Sequence, residues 1–493
     1  MRKKKLISLC LAGVMALSLT ACGSDDTTGT TAGTTEGTSA AEEDTTEGTT
    51  EGSGDEEATY DFGGVTVYGF GGKFNDLNPE TIGDNPEAQE AKAAVEAKYN
   101  IKLEYATMNG YDGTNDDDIL ISSIASGAPA THIMTMNPES MITCLMNDVL
   151  FDITDYLDVI KAGSVYTNAA QWQGRVYGVA YENIGDTWVL VYDRNYLEEI
   201  GMEKTPTEMF MEGKWDYDSF RSYLADMKTK LPDGVYPIGQ YPYHWAVMAA
   251  NANGVQLVDA NGQLNLTDEA VIEAMQFYQS LENEGLAYPM SRETDADGNT
   301  VSSDIVYAVD SEQIVIKRAE SWQLSGLGFE FGICFWPWGS NVTCEGDYTT
   351  LSDNYTTAVS YWGFVSVVDA AVEATGIPGE VLHLIAQDFT MLRDPNLDYV
   401  LEAYEQEQVG TYTAVGAEYG MPRSYYTQED ITLADWGFSR AAIDYSWPMS
   451  SAELVDIWTA AADILAGYQD ARSTLQSYEN EAIANLEEIG ITQ

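Results

Sequence analysis

Residues 65–74 read Val-Thr-Val-Tyr-Gly-Phe-Gly-Gly-Lys-Phe, an apolar run entering a glycine-rich turn that ends on Lys73. Such a turn could cradle phosphate on its backbone N–H groups. The P-loop pattern G-x-x-x-x-G-K-[ST] fits Gly72 and Lys73 but needs glycine at Val67 and a hydroxyl at Phe74. The dinucleotide pattern G-x-G-x-x-G fits Gly69 and Gly71 and again fails at Phe74. The turn therefore reads as a tight exit from a strand. His132, His244 and His383 are the only histidines, none in H-E-x-x-H, and they read as structural; there is no G-x-S-x-G elbow. With 79 acidic residues, carboxylate pairs of every spacing occur and discriminate nothing. Asp295-x-Asp297-Gly298-Asn299 has its glycine too early for a calcium loop and reads as a surface turn. No metal or cofactor is implied.

The chemistry that stands out is aromatic, with 31 Tyr and 11 Trp. Trp188, Trp245, Trp322 and Trp362 lie in polar contexts near strand ends. Aromatic faces stack on the C–H faces of sugar rings while neighbouring carboxylates and amides take the hydroxyls. Each tryptophan alone reads as core. Together they suggest a carbohydrate surface.

The 493 residues contain 23 Lys+Arg against 79 Asp+Glu, a net charge of −56. That field repels nucleic acid and anionic membrane surfaces, so no polynucleotide partner is expected. The bases cluster only at Arg2, Lys3, Lys4 and Lys5, ahead of an apolar segment from Leu6 to Leu19. This is the pattern of a signal peptide, residues 1–21. Residues 22–57 are Thr, Gly, Ser and acids without an aromatic, a disordered acidic linker that suits a Gram-positive surface. Cys10 leaves with the signal, so Cys144, Cys334 and Cys344 remain in the body together with Cys22 at the junction. Cys334 and Cys344 are expected as free thiols, with a hairpin-closing disulfide the alternative.

Strands and helices alternate after about Tyr60. "VTVYGF" reads as a strand, Asn85-Pro86 caps a helix to about Tyr99, "IKLEYATM" is a half-buried strand, a helix follows near 117–126, and "THIMTMN" is a strand. This β-α-β-α-β series is the signature of a doubly wound α/β sheet. "TWVLVYD" starts a second set. Asp218 is expected to open one helix and Thr267 to cap another that Gly285 stops. "FGICFWPW" and "YWGFVSVV" are further strands, and the chain beyond is mostly helical, with a capping box at Ser450-x-x-Glu453.

The order of segments resembles the family 1 extracellular solute-binding proteins, lipoprotein receptors of bacterial ABC importers related to maltose-binding protein. The likeness runs over nearly the whole chain: "EAKYNIKLEYATM", "SSIASGAPATHIMTMN", "LFDITDYL", "GRVYGVAYENIGDTWVLVYDRNYLEEIG", "GKWDYDSF", "TDEAVIEAMQFYQSLENEGLA", "AESWQL", "SYWGFVSVV" and "GMPRSYY". Leu19-Thr20-Ala21-Cys22-Gly23 resembles the bacterial lipobox, which implies a lipid anchor on Cys22 and a place on the outer face of the cytoplasmic membrane.

The resemblance implies a two-lobed periplasmic-binding-protein-like fold (type II), with the ligand cleft between α/β lobes joined by a multi-crossing hinge. It allots 58–184 and 326–369 to lobe 1 and 185–325 and 370–493 to lobe 2, with crossings near Ile184, Ser325 and Asp369. It further implies a monomer that captures a carbohydrate by lobe closure and hands it to ABC permease subunits, without catalysis. Carried over by position, the ligand residues are Lys73, Asn75, Asn137, Asp186, Trp188, Trp245, Trp322, Trp362 and Arg423. The chain departs from the family at Ala128-Pro129-Ala130-Thr131, where "APDI" is common, and at Ser360-Tyr361 in place of two glycines, which narrows the cleft there. The competing readings are the same receptor with a non-sugar ligand such as a short peptide, and a lipid-anchored polysaccharide hydrolase.

Overall fold

Val65–Phe70 (β1) runs into the glycine turn because only glycine tolerates its geometry. Gly71 and Gly72 have φ of 76° and 49°, and a Cβ on Gly71 would stand 2.8 Å from the Thr135 carbonyl oxygen. Phe74, the residue that defeats both nucleotide patterns, is fully buried and stacks on Phe389 at 5.2 Å. The computed structural model describes residues 60–108, 116–136, 138–160, 171–179, 188–289, 311–320, 323–324, 327–358, 364–393, 427–451 and 454–488.

Pro86–Tyr99 (α1) begins where the sequence indicates: Asn85 Oδ1 accepts from the Ala88 N–H at 3.1 Å, with proline in the first turn. Ile101–Tyr105 (β2), Asp116–Ala125 (α2), Ile133–Met136 (β3) and Pro138–Met146 (α3) follow. β2 and β3 flank β1 in parallel. The chain then starts a second sheet with Trp188–Asp193 (β4), Tyr217–Lys230 (α4), Tyr236–Ile238 (β5), Pro242–Ala252 (α5) and Glu269–Asn283 (α6). Ile314–Glu320 (β6) and Phe331–Cys334 (β7) complete it in the order β5-β6-β4-β7.

Phe364–Val367 (β8) returns to the first sheet, antiparallel to β3, giving the order β8-β3-β1-β2. Asp369–Thr375 (α7) and Gly379–Arg393 (α8) stay there, α8 against α1 and β8. Gln428–Ser439 (α9) packs on β7 of the second sheet. Ser446–Ser451 (α10) lies against α3, Ile457–Leu465 (α11) against α5 and α6, and Ala471–Glu488 (α12) against α6.

This tracing corrects the expected allotment. Residues 331–334 pair within the second sheet and 370–393 stay with the first, while 364–367 join the first as expected, so passage between sheets falls between 179 and 188, between 358 and 364, and between 393 and 427. Ser325 and Ile184 lie outside the described residues, but strands on both sides of 325 share one sheet, and Asp369 opens a helix that stays with the first. β7, expected in lobe 1, is buried along its whole length. A strand covered on both faces has no alternation to reveal its sheet.

The Asp218 segment opens α4 as expected, and Asp216 caps it by accepting from the Ser219 N–H at 2.9 Å. Two caps move. Asp268, not Thr267, caps α6, while Thr267 donates through its N–H and Oγ1 to Glu479 at 2.8 and 2.6 Å. Ser450 lies inside α10, and α11 is capped by Asp456, so the expected box at Ser450 does not open a helix. Cys144, Cys334 and Cys344 are free thiols.

Candidate functional site

β4 begins at Trp188, directly after the chain leaves the first sheet, and Trp188 is paired with Glu320 at the end of β6. Both strand ends therefore meet the inter-sheet crossing. Ligands in open α/β folds gather at such crossings. The Trp188 ring is 2% exposed and lies 4.2 Å from the His244 ring in an edge contact. His244 comes from the first turn of α5, whose start is fixed by Pro242 following Tyr241.

Around this pair stand Tyr241, stacked on His244 at 5.0 Å, and Tyr243, whose hydroxyl is 3.2 Å from Ser446 Oγ. Trp447 from α10 and Trp458 from α11 complete the wall, at 5.8 and 6.4 Å from His244. Trp458 stacks on Tyr243 at 6.0 Å and meets the edge of Tyr241 at 5.1 Å. Exposure rises across the cluster, from 5% at His244 to 43% at Trp458, so the wall is open on one side. α10 also packs on α3, which brings Trp447 to the boundary between the two sheets.

The polar floor is Arg318, 5.8 Å from the Trp188 and Tyr241 ring centroids and held by Glu320 Oε1 at 2.8 and 2.5 Å. Glu320 N–H in turn donates to Gln323 Oε1 at 2.9 Å. Burial, with the Arg318 charge second, holds the His244 imidazole well below its ordinary pKa and therefore neutral. Burial and the nearby Asp444 raise the Tyr243 phenol. The arrangement offers aromatic faces for stacking over a charge-balanced floor. A separate cavity of about 610 Å³ sits at the other end of the same strands, near Asp193 and Ser311, away from the crossings.

Of the residues expected from sequence, the structure brings Trp188 into this cluster. Trp245 is corrected: it is fully buried in the second-lobe core, edge-on to Trp336 at 5.2 Å and Tyr278 at 5.6 Å. One step along α5 turns the side chain by roughly 100°, so His244 and Trp245 face different surroundings. Lys73 and Asn75 lie partly exposed after β1, in the short helical turn Gly72–Leu77 of the first lobe. Asn137, Asp186, Trp322, Trp362, Arg423 and Cys22 lie outside the described residues. Sequence reasoning missed Tyr241, His244, Trp447 and Trp458. Their available signal was that both tryptophans occupy the first turns of short C-terminal helices.

No protein-family model matches the chain, and no curated protein matches it. Solved structures do. The sugar-binding protein MalE from Xanthomonas citri aligns at TM-score 0.57 and 14% identity, covering 86% of this chain and 98% of that one. A family 1 extracellular solute-binding protein from Bifidobacterium longum subsp. infantis aligns at 0.55 and 13%, covering 85% and 99%. UgpB from Mycobacterium tuberculosis, solved in complex with glycerophosphocholine, aligns at 0.51 and 14%, covering 86% and 99%. The chain has the two-lobed, mixed α/β periplasmic-binding-protein-like fold of MalE-type proteins. Among the described residues, no helix is long and apolar enough to cross a membrane, and no cluster of His, Cys, Asp or Glu could hold a metal ion.

Proposed function

We propose that this chain is a family 1 solute-binding receptor of a bacterial ABC importer, tethered by lipid on Cys22, that captures a carbohydrate and delivers it to permease subunits without catalysis. The observation that carries the reading is the open aromatic wall of Tyr241, Trp447 and Trp458 beside the inter-sheet crossing. Its rings suit the C–H faces of a sugar, and its floor is charge-balanced by the Arg318–Glu320 pair. Ligand bridging two lobes stabilises the closed arrangement relative to the open one. The same fold in UgpB with glycerophosphocholine favours a second reading, a non-sugar ligand in the same cleft.

A thermal-shift panel of mono- and oligosaccharides, with glycerophosphocholine and short peptides alongside, tests both. A ligand at 100 times its Kd that binds only the folded state stabilises it by about 2.7 kcal/mol. A shift with a sugar supports the first reading, a shift with glycerophosphocholine or a peptide alone supports the second, and turnover of a labelled oligosaccharide would overturn the receptor reading. For the anchor, Cys22→Ser should move the protein from the membrane fraction to the medium; retention in the membrane would refute it.

A further inference from the structure

Both ring nitrogens of His244 are buried without a hydrogen-bond partner, and so is Trp188 Nε1. An unpaired buried polar atom is destabilising, so a state that supplies the missing partners is favoured. Other buried groups are unpaired too, among them Tyr278 Oη, Trp245 Nε1 and Trp336 Nε1, but these lie in the second-lobe core. His244 is set apart by its neighbours. Its ring packs on partly exposed Tyr241 and lies within 6.4 Å of Trp458, the most exposed ring of the wall.

The unpaired atoms define what they can bind. A neutral imidazole has one donor and one acceptor, and an indole N–H adds a second donor. Nδ1 and Nε2 point to opposite sides of the imidazole, so two adjacent hydroxyls meet the indole N–H and one ring nitrogen, accepting from the first and accepting from or donating to the second as its tautomer requires. Carboxylate or phosphodiester oxygens only accept, which leaves the imidazole acceptor unpaired. A quaternary ammonium can lie over the aromatic faces but has neither donor nor acceptor for the ring nitrogens, which it leaves unpaired.

Resting on the sugar-receptor reading, we infer that Trp188 and His244 are the specificity-determining pair of this site. They hydrogen-bond a vicinal diol of a sugar ring that reaches them from the open, Trp458 side of the wall. The outer rings supply stacking, which any pyranose satisfies, and the inner pair selects the hydroxyl pattern.

The test is calorimetric titration of the full chain, as wild type, His244→Phe, His244→Gln and Trp188→Phe, with maltotriose, cellobiose, xylotriose, lactose and raffinose. For the sugar that the wild type binds, His244→Phe should weaken affinity tenfold or more while melting at the same or a higher temperature, because the unpaired nitrogens are gone. His244→Gln, which keeps a donor and an acceptor, should stay within a few-fold of wild type, and Trp188→Phe should lose three- to tenfold. Affinities of His244→Phe and Trp188→Phe within twofold of wild type overturn the inference and leave the sugar reading intact. A wild type that binds none of the five overturns the inference together with that reading. Should His244→Phe not fold, mono-deoxy analogues of the bound sugar decide: a loss of tenfold for at least one supports the pair, and losses all under twofold refute it.

Discussion

Two aromatic clusters in the second lobe are built from the same residue types and serve different ends. The first surrounds Phe210, with Trp338, Tyr355, Trp436 and Phe335 at 5.6, 6.0, 5.5 and 6.1 Å. Its buried hydroxyl is satisfied, Tyr355 Oη donating to the Trp336 carbonyl at 2.9 Å, and nearby Trp215 Nε1 donates to the Phe335 carbonyl at 3.0 Å. The second, around His244, has similar ring spacings, but its inner handles are unpaired and its outer rings reach solvent. Counting aromatics cannot separate them. Polar satisfaction and graded exposure can.

The comparison is tested most severely at Trp215. The side chain is fully buried, so Trp215→Ala should destabilise by about 3–5 kcal/mol through the cavity it leaves, with the Phe335 carbonyl losing its donor as well. Urea unfolding measures this; a loss under 1 kcal/mol would show that the first cluster is not a packed core.

Asp444 lies beside the second cluster. Its carboxylate accepts from the Leu257 N–H at 2.7 Å and the Ser446 N–H at 2.9 Å, just before the helix that carries Trp447. Burial raises its pKa to about 6 from 3.8, despite hydrogen bonds from Ser446 and Leu257 that lower it. The folded form thus holds this proton more tightly than the unfolded chain. The stability it contributes is complete below about pH 4 and is lost as pH rises through about 6, a span worth about 3 kcal/mol. Relative to Asp444→Asn, the wild type should gain stability between pH 7.5 and pH 5, and a difference independent of pH would refute the shift. Smaller again is Tyr355→Phe, which removes one satisfied hydroxyl and should cost about 1 kcal/mol. A neutral or stabilising result would remove the contrast in polar satisfaction.

Local chemistry made much of the fold legible. β1, α1 and its Asn85 cap follow from a short apolar run and an Asn-Pro start, and the glycine turn follows from its missing side chains. β8 was allotted to the sheet it joins, but the allotment of β7 was not legible, because a fully buried strand carries no alternation that marks its sheet. The cap of α6 was misplaced by one residue, from Asp268 to Thr267, because two capping-competent side chains stand together. Within the candidate site, Trp188 was readable from its place after a crossing. Trp458 was hidden in "IWTAAADIL", where an apolar helix reads as core throughout, although the other apolar residues of that helix are the ones that face inward.

Trp458 therefore gives the smallest expected effect on stability and the sharpest distinction between the clusters. A buried tryptophan replaced by alanine leaves a cavity, but a ring already 43% exposed leaves a space that water enters. Trp458→Ala should thus cost under about 1 kcal/mol in urea unfolding, a fraction of the Trp215 effect, since the ring keeps much of its surface in solvent and loses only its contacts to Tyr243 and Tyr241. The same variant should lose the thermal shift given by whichever sugar stabilises the wild type, because the face that stacks on the ring is gone. A loss above 2 kcal/mol with the sugar shift retained would make Trp458 a core residue and merge the two clusters into one. Unchanged stability with the shift abolished would keep them apart, for stacking on a ligand is the one function an exposed ring at the crossing performs that the packed rings around Phe210 cannot.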